Sequence, residues 1–321
     1  MSTDCSSSPD SNGMMKIVNY YKQAQIDSCI ILLTEMCGSS VNHFNYWLTR
    51  HNLAVCKYQQ SFIIDDPVLR NSAWEGFFDV WSAVSSLASS RSMSQLALVS
   101  ACNILYCAAV GENGKEHNEK ITLVGFQALE RIAAQYGIAS CPQLYLPREK
   151  LMFLLKNLAC CKSLDKLEAH IILYMCTIMS LGDENDDILP IIEQILKNCA
   201  DSYENQNANY FLLSPSEMKL VTSKQDFFQF VSELASLLLY IISCNSEKWC
   251  SKFSDKKIEH SQWTDLYQFI KLYEKVQTKQ GTYGQLDIVA NGNKLSFAIN
   301  LLEAIKFSSE KQHSLAIKLC R

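Results

Sequence analysis

A chain of 321 residues that is 48% hydrophobic, with only 11 Gly and 6 Pro, is long enough to bury a sizeable core and holds few helix breakers. Its net charge of −4, from 29 basic and 33 acidic residues, lacks the basic excess that nucleic-acid binding leaves on a composition, so nucleic acid is not expected as a partner. Many of the 14 Cys (Cys29, Cys102, Cys107, Cys160, Cys176 and Cys244) sit inside apolar runs, the usage of a reducing compartment, where a thiol serves as a small buried hydrophobe.

The opening residues, MSTDCSSSPDSNG, are polar and acidic, so residues 1–13 are expected to be a disordered tail rather than a secretory leader or transit peptide; an intracellular, cytoplasmic or nuclear, location follows. A helical array is expected over 14–200, an irregular connection over 201–214, and a second array over 215–321 that continues the first. The first helix, residues 14–37, is closed by Gly38. The second, residues 41–63, sets Phe44, Trp47, Leu48, His51, Val55, Tyr58 and Phe62 along one face. Asp66 and Pro67 start the third, since Asp caps a helix and Pro is preorganised at its first position; Trp74, Phe77, Phe78 and Trp81 stripe it. Ser92 with Gln95 three residues on reads as a capping box for a helix over 93–110, apolar nearly all round and therefore buried between neighbours. A helix over 120–136 stops at Gly137. Two apolar runs over 151–181, parted by Lys162, Ser163, Asp165 and Lys166, form a helical hairpin expected to be the central unit of the array. A short helix over 188–199, the non-periodic stretch 201–211, a helix start at Ser214 and Pro215, and further amphipathic helices complete the chain. The apolar run 227–244 is interrupted by Gln229, Ser232 and Glu233 and is too short to span a bilayer, so no membrane partner is expected.

About a dozen antiparallel helices in series, with no alternating strand, is the pattern of an all-α array or α-solenoid. The fragments HNLAVCKY, from His51, and FAINLLEAIKFSSEKQHSLAIKL, from Phe297, resemble the small and large residue alternation of tetratricopeptide-type helix pairs. The match departs from that family at Lys57, where an aromatic residue should follow Ala54 by three; Tyr58 stands one position late. Covering about a fifth of the chain, the resemblance implies an irregular tetratricopeptide-like superhelix that binds another protein along its helices.

The motifs that would carry chemistry are incomplete. Asp183, Asn185 and Asp187 open like a calcium loop, but Ile188 stands where the sharp turn needs Gly and Gln194 where a bidentate Glu belongs. Gly111, Gly114 and Lys115 lack the spacing and the following hydroxyl residue of a phosphate loop. There is no GxGxxG, GxSxG, HExxH or CxxC. No metal, cofactor or small-molecule ligand is therefore expected, and the chain reads as not an enzyme. Cys141, beside Pro142, and His117 are the loop-borne pair left for a nucleophile assembled in space. With the helix that ends at Arg321, they keep open a second reading: a helical, non-catalytic arm, or truncated form, of a larger enzyme such as a cysteine-dependent hydrolase. His51 and His170 lie by apolar stripes and read as core histidines. Cys160 and Cys161, about 100° apart on a helix, are expected to be one buried and one more exposed.

Residues 183–204 hold seven acids against one base and residues 247–321 twelve bases against eight acids, which reads as two solvated faces. The Lys248, Lys252, Lys256 and Lys257 patch near Trp249 and Phe253, diluted by Glu247, Asp255 and Glu259, keeps a nucleic-acid-associated protein as a weaker alternative. The expected function is a non-enzymatic scaffold or regulatory subunit for another protein. Trp74, Trp81, Trp249 and Trp263 are its candidate anchors, because aromatic side chains dominate interface energetics; for Trp74 and Trp81, whose helical spacing alone makes them pack, core packing is the first reading and anchoring the alternative.

Overall fold

Eight helices and no strand make up the described residues of a computed structural model: α1 Pro9–Lys22, α2 Ile26–Met36, α3 Phe44–Ile63, α4 Pro67–Ser86, α5 Arg91–Ala109, α6 Asn118–Gln135, α7 Pro147–Ala159 and α8 Lys166–Ser180. Those residues are 9–38, 44–87, 90–109, 118–139, 147–180, 188, 191–192, 194–195 and 210–213. The chain divides into two units, Met1–Phe227 and Phe228–Arg321, and all the described residues lie in the first. Expectations placed on residues 111–117, 141–146, 183–187 and 214–321, Cys141, His117, Trp249 and Trp263 among them, fall outside the described residues.

Each helix packs against the next in chain order, most heavily α3 on α4 and α4 on α5, and α8 folds back onto α5. Every residue over 96–109 is buried, because the run LALVSACNILYCAA offers no polar face to turn outward. By length and composition α5 could cross a membrane; here it is enclosed by its neighbours. Among the described residues α5, rather than the 151–181 hairpin, is the most enclosed element. The hairpin's two helices exist, but α8 packs far more on α5 than on α7, and α7 buries only the face of Leu151, Leu154, Leu155 and Leu158. At Gly125 α6 comes close to α8, and a Cβ there would overlap the Met175 side chain and force it to shift.

Three helix ends share one device. At Gly137 (φ +67°) the Ile138 amide donates to the Ala133 carbonyl and the Gly137 amide to Ala134, the paired bonds that satisfy the last carbonyls of a helix through a left-handed residue. The same two-bond pattern closes α1 around Ala24 (φ 56°), with Gln25 donating to Tyr20 and Ala24 to Tyr21. At the end of α3 the outer of these bonds recurs across Asp65 (φ 52°), where the Asp66 amide donates to the Ser61 carbonyl. The helix expected over 14–37 is therefore two helices, and the break carries no glycine to announce it. α1 also begins earlier than expected, at Pro9, a residue preorganised for a first helical turn.

Starts follow caps. The Asp66 carboxylate accepts from the Val68 and Leu69 amides, with Pro67 at the first position, as expected. The cap of α5 is Ser90, whose hydroxyl accepts from the Met93 amide at 3.3 Å, two residues ahead of the expected Ser92. Asp165 and Glu168 form a reciprocal capping box: the Glu168 amide donates to Asp165 Oδ1 at 2.8 Å and the Asp165 amide to Glu168 Oε2 at 3.0 Å. The Tyr136 hydroxyl, 2.7 Å from Glu168 Oε2, ties this start to the end of α6.

Candidate functional site

Asn103 is a lone amide in the middle of the enclosed α5 run, and a buried amide must find partners. Its partners come from residues 210–213, here called the strap, which lies across α1, α3 and α5. Asn103 Nδ2 donates to the Phe211 carbonyl at 3.2 Å, and Asn103 Oδ1 accepts from the Leu213 amide at 2.8 Å. One side-chain amide thus meets a C=O and the N–H two residues on, as a neighbouring strand's peptide group would. From α3, Asn52 Oδ1 accepts from the Phe211 amide at 3.3 Å. Burial alternates along the strap: Phe211 and Leu213 are inside, while Tyr210 and Leu212 are half-buried, the pattern of an extended chain.

Side chains fix the register. The Phe211 ring stacks on Tyr21 of α1, centroids 4.0 Å apart and 4° from parallel, and Gln59 of α3 holds the Tyr21 hydroxyl at 2.8 Å. Tyr210 meets Phe44 edge-on at 6.5 Å, and its hydroxyl reaches the Ser92 carbonyl at 3.4 Å.

His51 lies between the two asparagines, fully buried. The strap decides its tautomer. Because the Phe211 carbonyl needs a donor and the Leu213 amide an acceptor, Asn103 must present its NH2 to His51 Nε2, 3.0 Å away. Nε2 is then an acceptor, and Nδ1–H donates to Asn52 Oδ1 at 3.1 Å. Protonation would set Nε2–H against the Asn103 NH2, and burial, the larger effect, lowers the His51 pKa to about 4. The ring is a neutral hydrogen-bond relay. What the two amides and the ring hold, among the described residues, is the main chain of the strap.

Of the residues singled out in the sequence, Trp74 is only 1% exposed, packed edge-on to Phe78 at 4.4 Å, and Trp81 is half-buried on the same helix. Neither is part of the strap network. His51 and His170 are core histidines, as expected. Cys29, Cys102, Cys107 and Cys176 are buried and outside any disulfide, and Cys56 joins them. Cys29 and Cys56 share a hydrogen bond that lowers the first and raises the second. Cys160, expected in an apolar run, is instead exposed, because α7 ends at Ala159; Cys161 is the more covered of the adjacent pair. Among the described residues no cluster of His, Cys, Asp or Glu could hold a metal ion. Asn52, Asn103 and the strap escaped the sequence reading. The available signals were an amide inside an apolar run and the tetrad YFLL in an otherwise polar, asparagine-rich stretch. Compared with protein-family models, curated proteins and solved structures, the chain matches none of them.

Proposed function

We propose that this chain is a non-enzymatic scaffold or regulatory subunit that works inside the cell by holding another protein against an irregular, tetratricopeptide-like array of helices. The observation that carries the reading is the use of Asn52 and Asn103, on α3 and α5, to hold the backbone of an extended segment. Amides that read peptide groups rather than side chains are the equipment of a surface that takes up polypeptide. The serial packing of α1 to α8, each on the next, supports the array, and the buried thiols, outside any disulfide, support a reducing location.

The test is affinity purification from cell extract with the 321-residue chain, wild type and Trp81→Ala in parallel. The expected result is a stoichiometric protein partner; since Trp81 lies outside the strap network, loss of the partner with the variant would place the contact on the α4 face as well. Recovery of the chain alone, under conditions where it is folded, overturns the reading.

A further inference from the structure

We propose that the turn into α8 is a proton-operated latch: a carboxyl proton on Glu168 completes a hydrogen-bond chain through the Tyr136 hydroxyl to the Ser163 carbonyl, and its loss to water as pH rises loosens the turn 160–165 from the end of α6. The device is separate from the strap and does not depend on the scaffold reading.

Two short contacts need two protons. The Tyr136 hydroxyl oxygen lies 2.8 Å from the Ser163 carbonyl oxygen and 2.7 Å from Glu168 Oε2. Both are the distances of a made O–H···O bond, so each pair of oxygens holds a proton between them. The phenol supplies one and a backbone carbonyl has none, which leaves the Glu168 carboxyl as the source of the second. An ionised Glu168 would leave one of the two pairs facing each other without a proton, whichever way the hydroxyl turned. A protonated Glu168 donates to Tyr136, and Tyr136 donates on to Ser163. In either state Glu168 Oε2 is within reach of the Asp165 amide, at 3.0 Å.

The surroundings keep that proton in place. Glu168 is buried, and its pKa is raised first by that burial and then by the like charge of Asp165, which stands at the surface three residues earlier. The Asp165 amide pulls the other way, as a Tyr136 hydroxyl donating to a carboxylate would, and both effects are smaller. Tyr136, from α6, is raised by burial and stays a phenol; Cys161, beyond the end of α7, is raised by burial and stays a thiol. On α8 itself Lys166 acts on His170, which is held neutral, and from α5 Tyr106 meets Tyr174 further along the helix.

Once the carboxyl proton leaves, the phenol proton goes to the carboxylate, because a hydrogen bond to a charged acceptor is about twice as strong as one to a neutral carbonyl. The Ser163 carbonyl then faces an oxygen lone pair. It can turn out to water, since Ser163 is exposed. What loosens is the turn that carries Cys160 and Cys161, while the buried Leu164 still anchors its far end. A carboxyl whose folded pKa lies above its unfolded value contributes stability that is present below the unfolded value and is lost as pH rises through the folded one. The latch is therefore closed on the acid side and open above it.

The experiment follows the Glu168 carboxyl carbon by NMR in the 321-residue chain, assigned through its own backbone amide, and reads amide exchange at Asp165 and Glu168 at pH 5 and pH 8. The expected midpoint lies at least one pH unit above those of the exposed Glu119, Glu130 and Glu149, and the protection of the two amides falls at least threefold at the higher pH. Glu168→Gln, which keeps a donor for Tyr136 at every pH, should abolish that fall. Its folded-to-unfolded ratio in urea should also gain at least fivefold on the wild type between pH 4 and pH 8, since a shift of one unit carries about tenfold. A smaller midpoint shift, or protection that falls equally in the variant, overturns the proposal. So does a ratio that moves in the wild type's favour as pH rises, the sign expected of an ionised Glu168 accepting from Tyr136. Should Glu168→Gln not fold, the wild-type midpoint decides by itself.

Discussion

The two buried histidines sit in opposite kinds of region. His51, at 0% exposure, has both ring nitrogens engaged, one by Asn52 and one by Asn103, within a network that reaches the strap. His170, at 1%, lies on α8 where it packs toward α5; among the described residues neither of its ring nitrogens has a hydrogen-bond partner, and its ring is 5.9 Å from that of Tyr174. Both are held neutral by burial. His51 is lowered to about 4 and His170 to about 3, the latter helped by Lys166 one turn earlier. The first region is organised by hydrogen bonds, whereas around the second Ile171, Ile172, Leu173 and Met175 of the same helix are all buried and the imidazole sits among apolar groups without a hydrogen bond.

Removing one amide from the first region should therefore produce the largest effect. Asn103→Ala strips partners from His51 Nε2, the Phe211 carbonyl and the Leu213 amide at once, and should cost roughly 3 to 4 kcal/mol in urea unfolding, because buried polar groups left unmade lose their full desolvation energy. A cost under about 1 kcal/mol would show that the network is not what holds this region.

Acid sharpens the contrast next. A histidine whose folded pKa lies below its unfolded value near 6.5 binds fewer protons folded than unfolded, so its contribution is present above that pH and is lost as pH falls. His170→Leu should remove its share of this loss: the stability gap between variant and wild type should widen in the variant's favour by about 2 kcal/mol from pH 7 to pH 5. Glu168, raised by burial and by the Asp165 charge, has the opposite sign, its contribution lost as pH rises through its folded pKa, and it cancels in the difference because both proteins carry it. At pH 7 itself the same substitution should be neutral or stabilising by up to about 1 kcal/mol, since it replaces an imidazole without hydrogen bonds by an apolar group of similar size. A loss of 2 kcal/mol at pH 7 would put His170 in the same class as His51.

How much of this was legible follows the same division. Elements governed by one periodic or capping signal were readable: the all-round apolar α5, the Asp66 and Pro67 start, the Gly137 stop. Where two signals compete or a rare residue does the common job, the reading failed. Ser92 with Gln95 outranked the plainer Ser90, and Ala24 broke a helix without glycine. The box of Asp165 and Glu168 was readable as D-x-x-E but passed as a polar break. The strap network could not be placed from local pattern at all, because its members stand more than a hundred residues apart. An asparagine in an apolar run says that a partner is needed, not where it comes from.

The smallest expected effect turns on the same two regions through their helix ends. Ala24 and Gly137 occupy equivalent left-handed positions, but only Gly137 does so without a Cβ clash of about 1 kcal/mol. Ala24→Gly should recover that strain and return part of it as backbone entropy in the unfolded chain, a net stabilisation of about 0.5 kcal/mol. The gain should be local. α1 carries Tyr21, on which Phe211 stacks, and Met14, whose sulfur lies 4.0 Å from Asn52 Nδ2, so a firmer α1 end should slow amide exchange at Phe211 and Leu213. Amides of α7 and α8 should exchange as before, since α1 packs chiefly on α2. Slowing spread evenly over both regions would mean that they open as a single unit, and the division drawn between them would fail.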